Sequence, residues 1–230
     1  MMESSNIGSA QIADQLGAAR QKQFLREMGF LDKVNIELKE RGRTLTPKEW
    51  SRLDTMTVGF WHSIAVTPLH LATGYATLFN GGIYRPATIL KVDAQHKVAP
   101  GRRVYTEETS YKMRSLLRLV VTKGTGKKAD APGYRVGGKT GTAEKYHNKS
   151  LKVNSFAAVF PMEEPRYVVI AMLDEPKATA KTFGFSTAGW NVAPLISRTV
   201  SRVAPMLGVR PDKKRDANMA EVLPYIHEKK

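Results

Sequence analysis

The chain has 230 residues, which is enough for one ordinary domain or two small ones. Its 42% hydrophobic and 25% charged residues match the average globular composition and argue against a disordered chain. There is no cysteine, which excludes disulfides and thiolate metal sites.

The charge balance is strongly basic, with 36 Lys and Arg against 21 Asp and Glu and a formal net charge of +15. Nucleic-acid binding normally needs basic residues gathered on one element, often with aromatic residues between them. Here they are scattered in short groups: Arg102-Arg103, Lys127-Lys128, Lys213-Lys214-Arg215 and Lys229-Lys230. We interpret the charge as a solvated surface suited to work near anionic lipid or cell-wall polymer, and expect no nucleic-acid partner. A basic nucleic-acid binder is a remote alternative.

Neither a membrane span nor a signal peptide is predicted. The longest apolar run, Val168 to Leu173, falls far short of the ~20 residues that a spanning helix needs. The first residues, MMESSNIGSAQIADQ, have no basic and then apolar leader pattern and indicate the entry to a helix. A chain that opens in mid-structure is expected to be a fragment.

Hydrophobic spacing and capping residues predict five helices. In chain order they run from Ser4 or Ser5 to about Leu16, from about Ala18 to Met28, from Leu69 to Phe79 and from Glu107 to about Val121, with a last helix that buries Val192, Leu195, Ile196, Thr199, Val203 and Leu207. The fourth is the clearest, because acidic residues follow its Thr106 cap and suit the positive end of the helix dipole.

Extended segments are predicted in three places. Ile83 to Val92 is one, and Asn154 to Phe160 and Tyr167 to Leu173 are two strands joined by a Glu-Glu-Pro turn. A short turn of this kind predicts an antiparallel hairpin. The tail from Pro211 is polar and is expected to be loose.

The stretch GYRVGGKT, Gly133 to Thr140, matches the phosphate-binding loop of ATPases letter for letter. Such a loop needs a strand before it and a helix that begins at the Lys-Thr. No strand precedes it here, and Gly141 follows at once. The apolar run into Asp174-Glu175 resembles the magnesium-holding strand, but its predicted hairpin is incompatible with the parallel sheet of that fold. An ATPase is therefore a remote alternative, and no nucleotide or other cofactor is expected.

Read as VGGKTGTAEK, the same region predicts a different site. A Lys-Thr-Gly-Thr at the end of a short strand places the Lys139 ammonium and the hydroxyls of Thr140 and Thr142 along one edge, where they can hold a carboxylate. The N–H of Thr142 can face a developing oxyanion, and Gly141 keeps a side chain out of the way. A surface turn is the alternative, because Lys-Thr-Gly alone is only suggestive. The triplet Ser4-Ser5-Asn6 is likewise weak alone, since helix capping explains Ser4.

Order and separation strengthen both motifs. Ser-x-Asn at a helix entry, followed more than a hundred residues later by Lys-Thr-Gly, is the arrangement of serine enzymes that recognise penicillin. The segments VTPLHLATGYATLFNGGIYRP, GYRVGGKTGTAEK and NSFAAVFPMEEPRYVVIAMLDEPK resemble those of class B penicillin-binding proteins. The resemblance covers Glu3 to about Pro211 and is greatest to the division-specific peptidoglycan D,D-transpeptidases of Gram-negative bacteria.

The resemblance implies an α+β fold of the β-lactamase/transpeptidase type, an antiparallel sheet flanked by helices, present here only in part. Residues 1–210 would be the C-terminal portion of the transpeptidase domain and 211–230 a polar tail. Ser4 would join the proton-transfer network and Asn6 would hold a substrate amide. Lys139 would be the third catalytic residue, with Thr140, Gly141 and Thr142 binding substrate.

The implied reaction is acyl transfer from a D-Ala-D-Ala stem peptide, which β-lactams mimic. The implied partners are this peptide, β-lactams and membrane proteins of the division complex. The implied location is the periplasmic face of the inner membrane. No metal site is implied, and the five histidines show no metal-ligand spacing.

Two departures from the family pattern matter. The Ser-x-x-Lys motif that supplies the nucleophile is missing, since no serine of the chain is followed three residues later by lysine. We therefore expect no nucleophile in this chain and no activity from it alone. Trp61 stands near positions where the family usually carries glycine, which puts the loop shape in doubt. A non-catalytic split-gene fragment or a binding partner remains the alternative, and whether another segment supplies the nucleophile stays open.

Overall fold

The computed structural model describes residues 1–60, 62–93, 97–145 and 148–226. The chain divides into two compact units, one formed by Ser5–Ser110 and one by Met1–Ser4 together with Tyr111–Lys230. Each unit has its own hydrophobic core.

The unit formed by Ser5–Ser110 is mainly helical. Its elements are α1 (Asn6–Leu16), α2 (Ala18–Glu27), α3 (Arg52–Val58), α4 (Pro68–Phe79) and the two-residue antiparallel strands β1 (Ile83–Tyr84) and β2 (Arg102–Arg103). Side chains fix the helix starts: Ser5 Oγ accepts the N–H of Gly8 at 3.1 Å, and reciprocal capping boxes open α3 and α4.

This first core is small. Its buried residues are Leu25, Met28, Phe30, Val58 and Ile64. A buried amide supports it, because Gln21 donates to the carbonyl of Thr55 at 2.9 Å and accepts from the Trp50 indole at 3.0 Å. In contrast, Ile7 and Ile12 of α1 are 74% and 70% exposed. The helix predicted from the first residues is present, but these apolar side chains lie in solvent.

The other unit is built on a three-stranded antiparallel sheet. Its elements are α5 (Glu107–Thr122, of which Tyr111 onward belongs here), β3 (Gly137–Lys145), β4 (Asn148–Phe160), β5 (Tyr167–Asp174) and α6 (Ala188–Met206), with the strands in the order β3-β4-β5. Lys139 pairs with Ala157, and Thr142 pairs with Asn154. The sheet thus fixes the position of the Lys-Thr-Gly segment.

The core of this unit lies between the sheet and α6. Phe156, Ala158 and Phe160 alternate along β4 and are fully buried, and Val192 and Ile196 of α6 pack against them. Since alternate residues of a strand point to the same face, this face of the sheet is covered by α6. The central strand is held on both sides, by β3 and by β5.

The predicted α+β class with an antiparallel sheet is confirmed, and so is the hairpin of β4 and β5. Several segments differ from expectation, among them the extended run Ile83 to Val92, of which only Ile83–Tyr84 forms a strand. Strand β3 does not end at the Lys-Thr-Gly but continues to Lys145, because residues 142–144 pair with 152–154 of β4. The short helix α3 was not predicted, since its Arg-Leu-Asp-Thr-Met-Thr-Val sequence has too few turns to show helical spacing.

The tail also differs from the loose segment expected. Its Asp212 N–H donates to the carbonyl of Gly133 at 2.8 Å, and the Ser115 hydroxyl donates to the carbonyl of Asn218. Residues 211–219 are therefore attached to the sheet unit. Within the described ranges, none of the helices combines the length and apolarity that crossing a bilayer requires.

Candidate active site

Lys139 is the third residue of β3, not the first residue of a helix. Gly138 before it allows close approach to β4, because a Cβ there would lie 2.2 Å from the carbonyl oxygen of Ala157. The Lys139 ammonium donates to the Ser4 hydroxyl at 2.6 Å and to the carbonyl of Thr140 at 3.0 Å. Two predicted site residues, separated by more than a hundred positions in sequence, therefore meet.

The electrostatic state of Lys139 is unusual for a lysine. Burial lowers the pKa of its ammonium to about 8, since a desolvated cation is disfavoured. At neutral pH the group remains mostly protonated and can attract a carboxylate. A pKa this close to neutrality is also what a group that transfers protons needs.

The position of Ser4 is set by its backbone conformation and by hydrogen bonds of the residues before it. Its φ of 54° is in the left-handed region, which non-glycine residues adopt at an energetic cost. The Thr125 N–H donates to the carbonyl of Met2 at 3.4 Å, and the Ser4 N–H donates to that of Met1 at 3.1 Å. This short N-terminal segment therefore presents an exposed hydroxyl to Lys139.

The helix-capping alternative for Ser4 is not what the structure shows. Ser5, and not Ser4, is the N-cap residue of α1. The Ser4 hydroxyl is thus available for Lys139. Asn6 is the first residue of α1, is exposed, and belongs to the unit formed by Ser5–Ser110.

The remaining motif residues lie along β3. The Thr140 and Thr125 hydroxyls are 2.9 Å apart, and Thr142 Oγ1 accepts the N–H of Ala188 at 3.3 Å, at the start of α6. Thr142 is exposed. A Cβ on Gly141 would lie 2.5 Å from Ser155 Oγ of β4, so this hydroxyl would have to move to admit a side chain there.

Sequence reasoning did not identify Thr125 or Ala188 as neighbours of the motif. Thr125 lies in a glycine- and lysine-rich loop and Ala188 at a helix start, and neither segment carries a pattern that would link it to β3. The expectation about Trp61 lies outside the described residues. Among the described residues, no group of three His, Cys, Asp or Glu side chains could hold a metal ion.

The chemistry available at this edge is that of anion recognition and proton transfer. A partly desolvated ammonium touches a serine hydroxyl, and threonine hydroxyls line the strand on its C-terminal side. Such a group suits a substrate with a carboxylate next to a reacting carbonyl.

Comparison with known proteins identifies the family of the chain. Residues 1–196 match the model of the penicillin binding protein transpeptidase domain. The chain belongs to this family. The resemblance of the motifs also predicted the division-type class B branch of this family. This prediction is confirmed, and the relatives below include two transpeptidases named FtsI.

The chain is 44% identical over 221 residues to the probable peptidoglycan D,D-transpeptidase FtsI of Caulobacter vibrioides, covering 90% of the chain and 37% of that relative. It is 30% identical over 219 residues to the peptidoglycan D,D-transpeptidase FtsI of Escherichia coli, covering 92% of the chain and 36% of that relative. The chain thus spans little more than a third of the length of these relatives.

Solved structures show the same fold. The transpeptidase domain of Burkholderia pseudomallei penicillin-binding protein 3 matches with a TM-score of 0.80 and 30% identity, over 90% of this chain and 63% of that one. Penicillin binding protein 3 of Mycobacterium tuberculosis, complexed with ampicillin, matches with a TM-score of 0.80 and 25% identity, over 95% and 53%. The predicted transpeptidase-like fold is confirmed.

Proposed function

We propose that this chain is the part of a peptidoglycan D,D-transpeptidase that carries the Ser-x-Asn and Lys-Thr-Gly motifs, and that a segment outside it supplies the nucleophilic serine. The observation that carries the proposal is the 2.6 Å contact between the Lys139 ammonium and the Ser4 hydroxyl. It joins two motifs that the family resemblance selected independently.

The proposed reaction is acyl transfer. The external serine oxygen attacks the carbonyl carbon between the two D-Ala residues, and the Thr142 N–H stabilises the oxyanion that forms. The serine proton passes through the network of Ser4 and Lys139 to the amide nitrogen, so that D-Ala leaves as a neutral amine and an ester to the serine remains. An amine of a neighbouring stem peptide then attacks the ester and releases the serine.

The other motif residues would bind substrate. Lys139 and the hydroxyls of Thr140 and Thr142 would hold the terminal carboxylate, Gly141 would keep the strand close to β4, and Asn6 would hold an amide of the stem peptide. A β-lactam would use the same carboxylate contacts. The Mycobacterium tuberculosis neighbour, whose structures include complexes with ampicillin and aztreonam, supports this choice of ligand.

The biological setting is also a proposal. The names of the relatives support a role in peptidoglycan synthesis. The family resemblance implies that this role is septal, at the periplasmic face of the inner membrane and together with division-complex membrane proteins. The formal charge of +15 supports work near an anionic surface, where it would aid association.

Complementation with fluorescent penicillin tests the proposal. The chain would be produced alone and together with a fragment of the Caulobacter vibrioides relative that contributes a Ser-x-x-Lys segment. We expect no label on the chain alone, because binding and oxyanion contributions without a nucleophile give only ~10³–10⁴-fold over water. In the pair, the label should appear on the added fragment.

A matched pair of variants sharpens this test. Lys139→Ala should lower labelling of the fragment by ~10²-fold or more, because it removes the charge beside the reacting carbonyl. Lys181→Ala removes the same charge from an exposed position of the same unit and should label like the parent pair. A folded pair in which neither protein takes the label would contradict the proposal and favour the non-catalytic split-gene fragment.

A further inference from the structure

All three guanidinium nitrogens of Arg118, a buried residue of α5, donate hydrogen bonds. Arg118 is 5% exposed. Its Nε donates to both carboxylate oxygens of Asp216 at 2.8 and 3.1 Å, Nη1 to Asp130 Oδ1 and the Val136 carbonyl at 2.8 Å each, and Nη2 to Asp130 Oδ2 at 3.1 Å and Asp216 Oδ2 at 2.9 Å. Two carboxylates and one backbone carbonyl thus satisfy a planar fork that lysine cannot reproduce.

This cluster holds both backbone groups of Val136. Its carbonyl accepts from Arg118, and its N–H donates to Asp130 Oδ1 at 3.1 Å. Val136 is fully buried and immediately precedes β3, so Lys139 follows three residues later. The two bonds therefore fix the point at which the strand with the catalytic motif begins.

One of the two carboxylates that bind Arg118 comes from the C-terminal tail. Asp216 is supplied by a segment that is attached at Asp212 and at Asn218. Arg135, which is also buried, lies 3.7 Å from an oxygen of Asp212 and 3.6 Å from one of Asp216. Loss of Asp216 would leave the charge of Arg118 buried with Asp130 as its remaining carboxylate partner, and such arrangements are strongly destabilising.

We propose that Asp216 is a positioning residue, which acts through Arg118 to hold Val136 and thereby Lys139 in place. The segment Asp212–Asn218 is then a strap that the site requires and not a dispensable tail. A role of this strap in catalysis rests on the proposed function, whereas its role in holding the start of β3 does not. Its test therefore uses no enzymatic activity.

The test uses the full 230-residue chain with Asp216→Asn, which removes the charge and keeps the shape. Hydrogen exchange followed by mass spectrometry should show roughly tenfold or faster exchange in a peptide containing Val136, while peptides of α6 stay as protected as in the parent. The matched control is Glu221→Gln, because Glu221 is an exposed acid of the same tail. It should leave both peptides unchanged.

A second readout distinguishes positioning from a general loss of stability. Competitive acetylation across a pH series measures the titration of Lys139, whose burial sets its pKa to about 8. In Asp216→Asn the midpoint should move upward, towards the ~10.4 of an exposed lysine, because a displaced strand start exposes the ammonium. Asp216→Glu keeps a carboxylate and should return the midpoint part of the way.

The parent chain provides a test that needs no variant, in case Asp216→Asn does not fold. Under increasing urea, exchange at Val136 and at residues 213–218 should accelerate together and before that of residues 156–160, because the strap and the strand start would open as one unit. The proposal is overturned if Val136 opens with β4 instead. It is also overturned if Asp216→Asn folds and leaves the Lys139 midpoint and the Val136 exchange at their parent values.

Discussion

The buried cores of the two units differ in size and in how completely they exclude solvent, although both units also carry exposed apolar side chains, such as Met206 and Ile12. In the sheet unit, Phe156, Phe160 and Ile196 have no exposed surface. In the unit formed by Ser5–Ser110, Ile12 is 70% exposed and Leu53 69%. Lys139 thus lies on a sheet whose buried side packs closely against α6, whereas the helix that carries Asn6 presents apolar surface to solvent. Exposed apolar groups of this kind promote contact with other chains or aggregation.

The largest expected effect compares two phenylalanines. Phe156→Ala should lower the free energy of unfolding by about 3–5 kcal/mol, because it opens a cavity in a closely packed core. Phe24→Ala should cost much less, about 1 kcal/mol or below, since Phe24 is 42% exposed. Urea unfolding followed by circular dichroism measures both. Equal losses would contradict the difference in burial between these two side chains.

The next effect concerns the ionisation of Lys139. Above its pKa of about 8 the ammonium loses its charge, so affinity for a carboxylate ligand such as benzylpenicillin should fall about tenfold per pH unit. Lys139→Arg keeps its charge throughout and should hold the ligand between pH 8 and 10. Chemical-shift titration measures both affinities, and a pH-independent affinity in the parent would contradict the assigned role.

The same shift has a consequence for stability. A lysine pKa that is lower in the folded than in the unfolded state means that the unfolded chain binds more protons between pH ~8 and ~10.4. The contribution of Lys139 is therefore least favourable below pH 8 and improves as the pH rises through this window. Lys139→Met should remove this increment when its unfolding is compared with that of the parent at pH 8 and pH 10.

A smaller effect separates the roles of two adjacent serines, Ser5 as the cap of α1 and Ser4 as the acceptor from Lys139. Ser5→Ala should destabilise α1 by about 1 kcal/mol, because it removes the cap that accepts the N–H of Gly8. Ser4→Ala should leave the helix unchanged, since its hydroxyl accepts from Lys139 and not from α1. Helix content and the unfolding midpoint measure the two variants. A larger loss from Ser4→Ala than from Ser5→Ala would reverse the assignment.

The smallest expected effect on folding is that of an exposed apolar residue. Ile12→Ser should change the free energy of unfolding by no more than about 0.5 kcal/mol. It should, however, reduce aggregation of the chain, which light scattering at equal concentrations measures.

The exposed apolar residues and the two sheet edges that the structure describes, β3 and β5, lead us to expect an aggregation-prone or marginally stable chain. A cooperative, monomeric thermal transition at mesophilic temperatures would count against this view.

Local patterns predicted the elements that have strong local signals. The amphipathic stripe and acidic first turn of α5 and the turn between β4 and β5 were sufficient to place these elements. The contact of Lys139 with Ser4 followed only from the family resemblance, because no local pattern links two positions 135 residues apart.

Other contacts gave no signal at all. Arg118 and Asp216 are 98 positions apart, and each is an ordinary charged residue in its own segment. The sequence therefore showed a polar tail, whereas the fold turns part of it into a partner of a buried charge. The exposure of Ile12 likewise depends on tertiary packing, since helical spacing predicts an apolar side but not what covers it.

The central claim is that this chain contributes recognition and proton-transfer groups but not the acylated serine. Mass spectrometry of the penicillin-treated pair, after digestion, measures this most directly by locating the penicilloyl group. We predict that the adduct lies on the serine of the added Ser-x-x-Lys fragment and that every peptide of this chain keeps its unmodified mass. A penicilloyl adduct on Ser4, or on any other residue of this chain, would contradict the account.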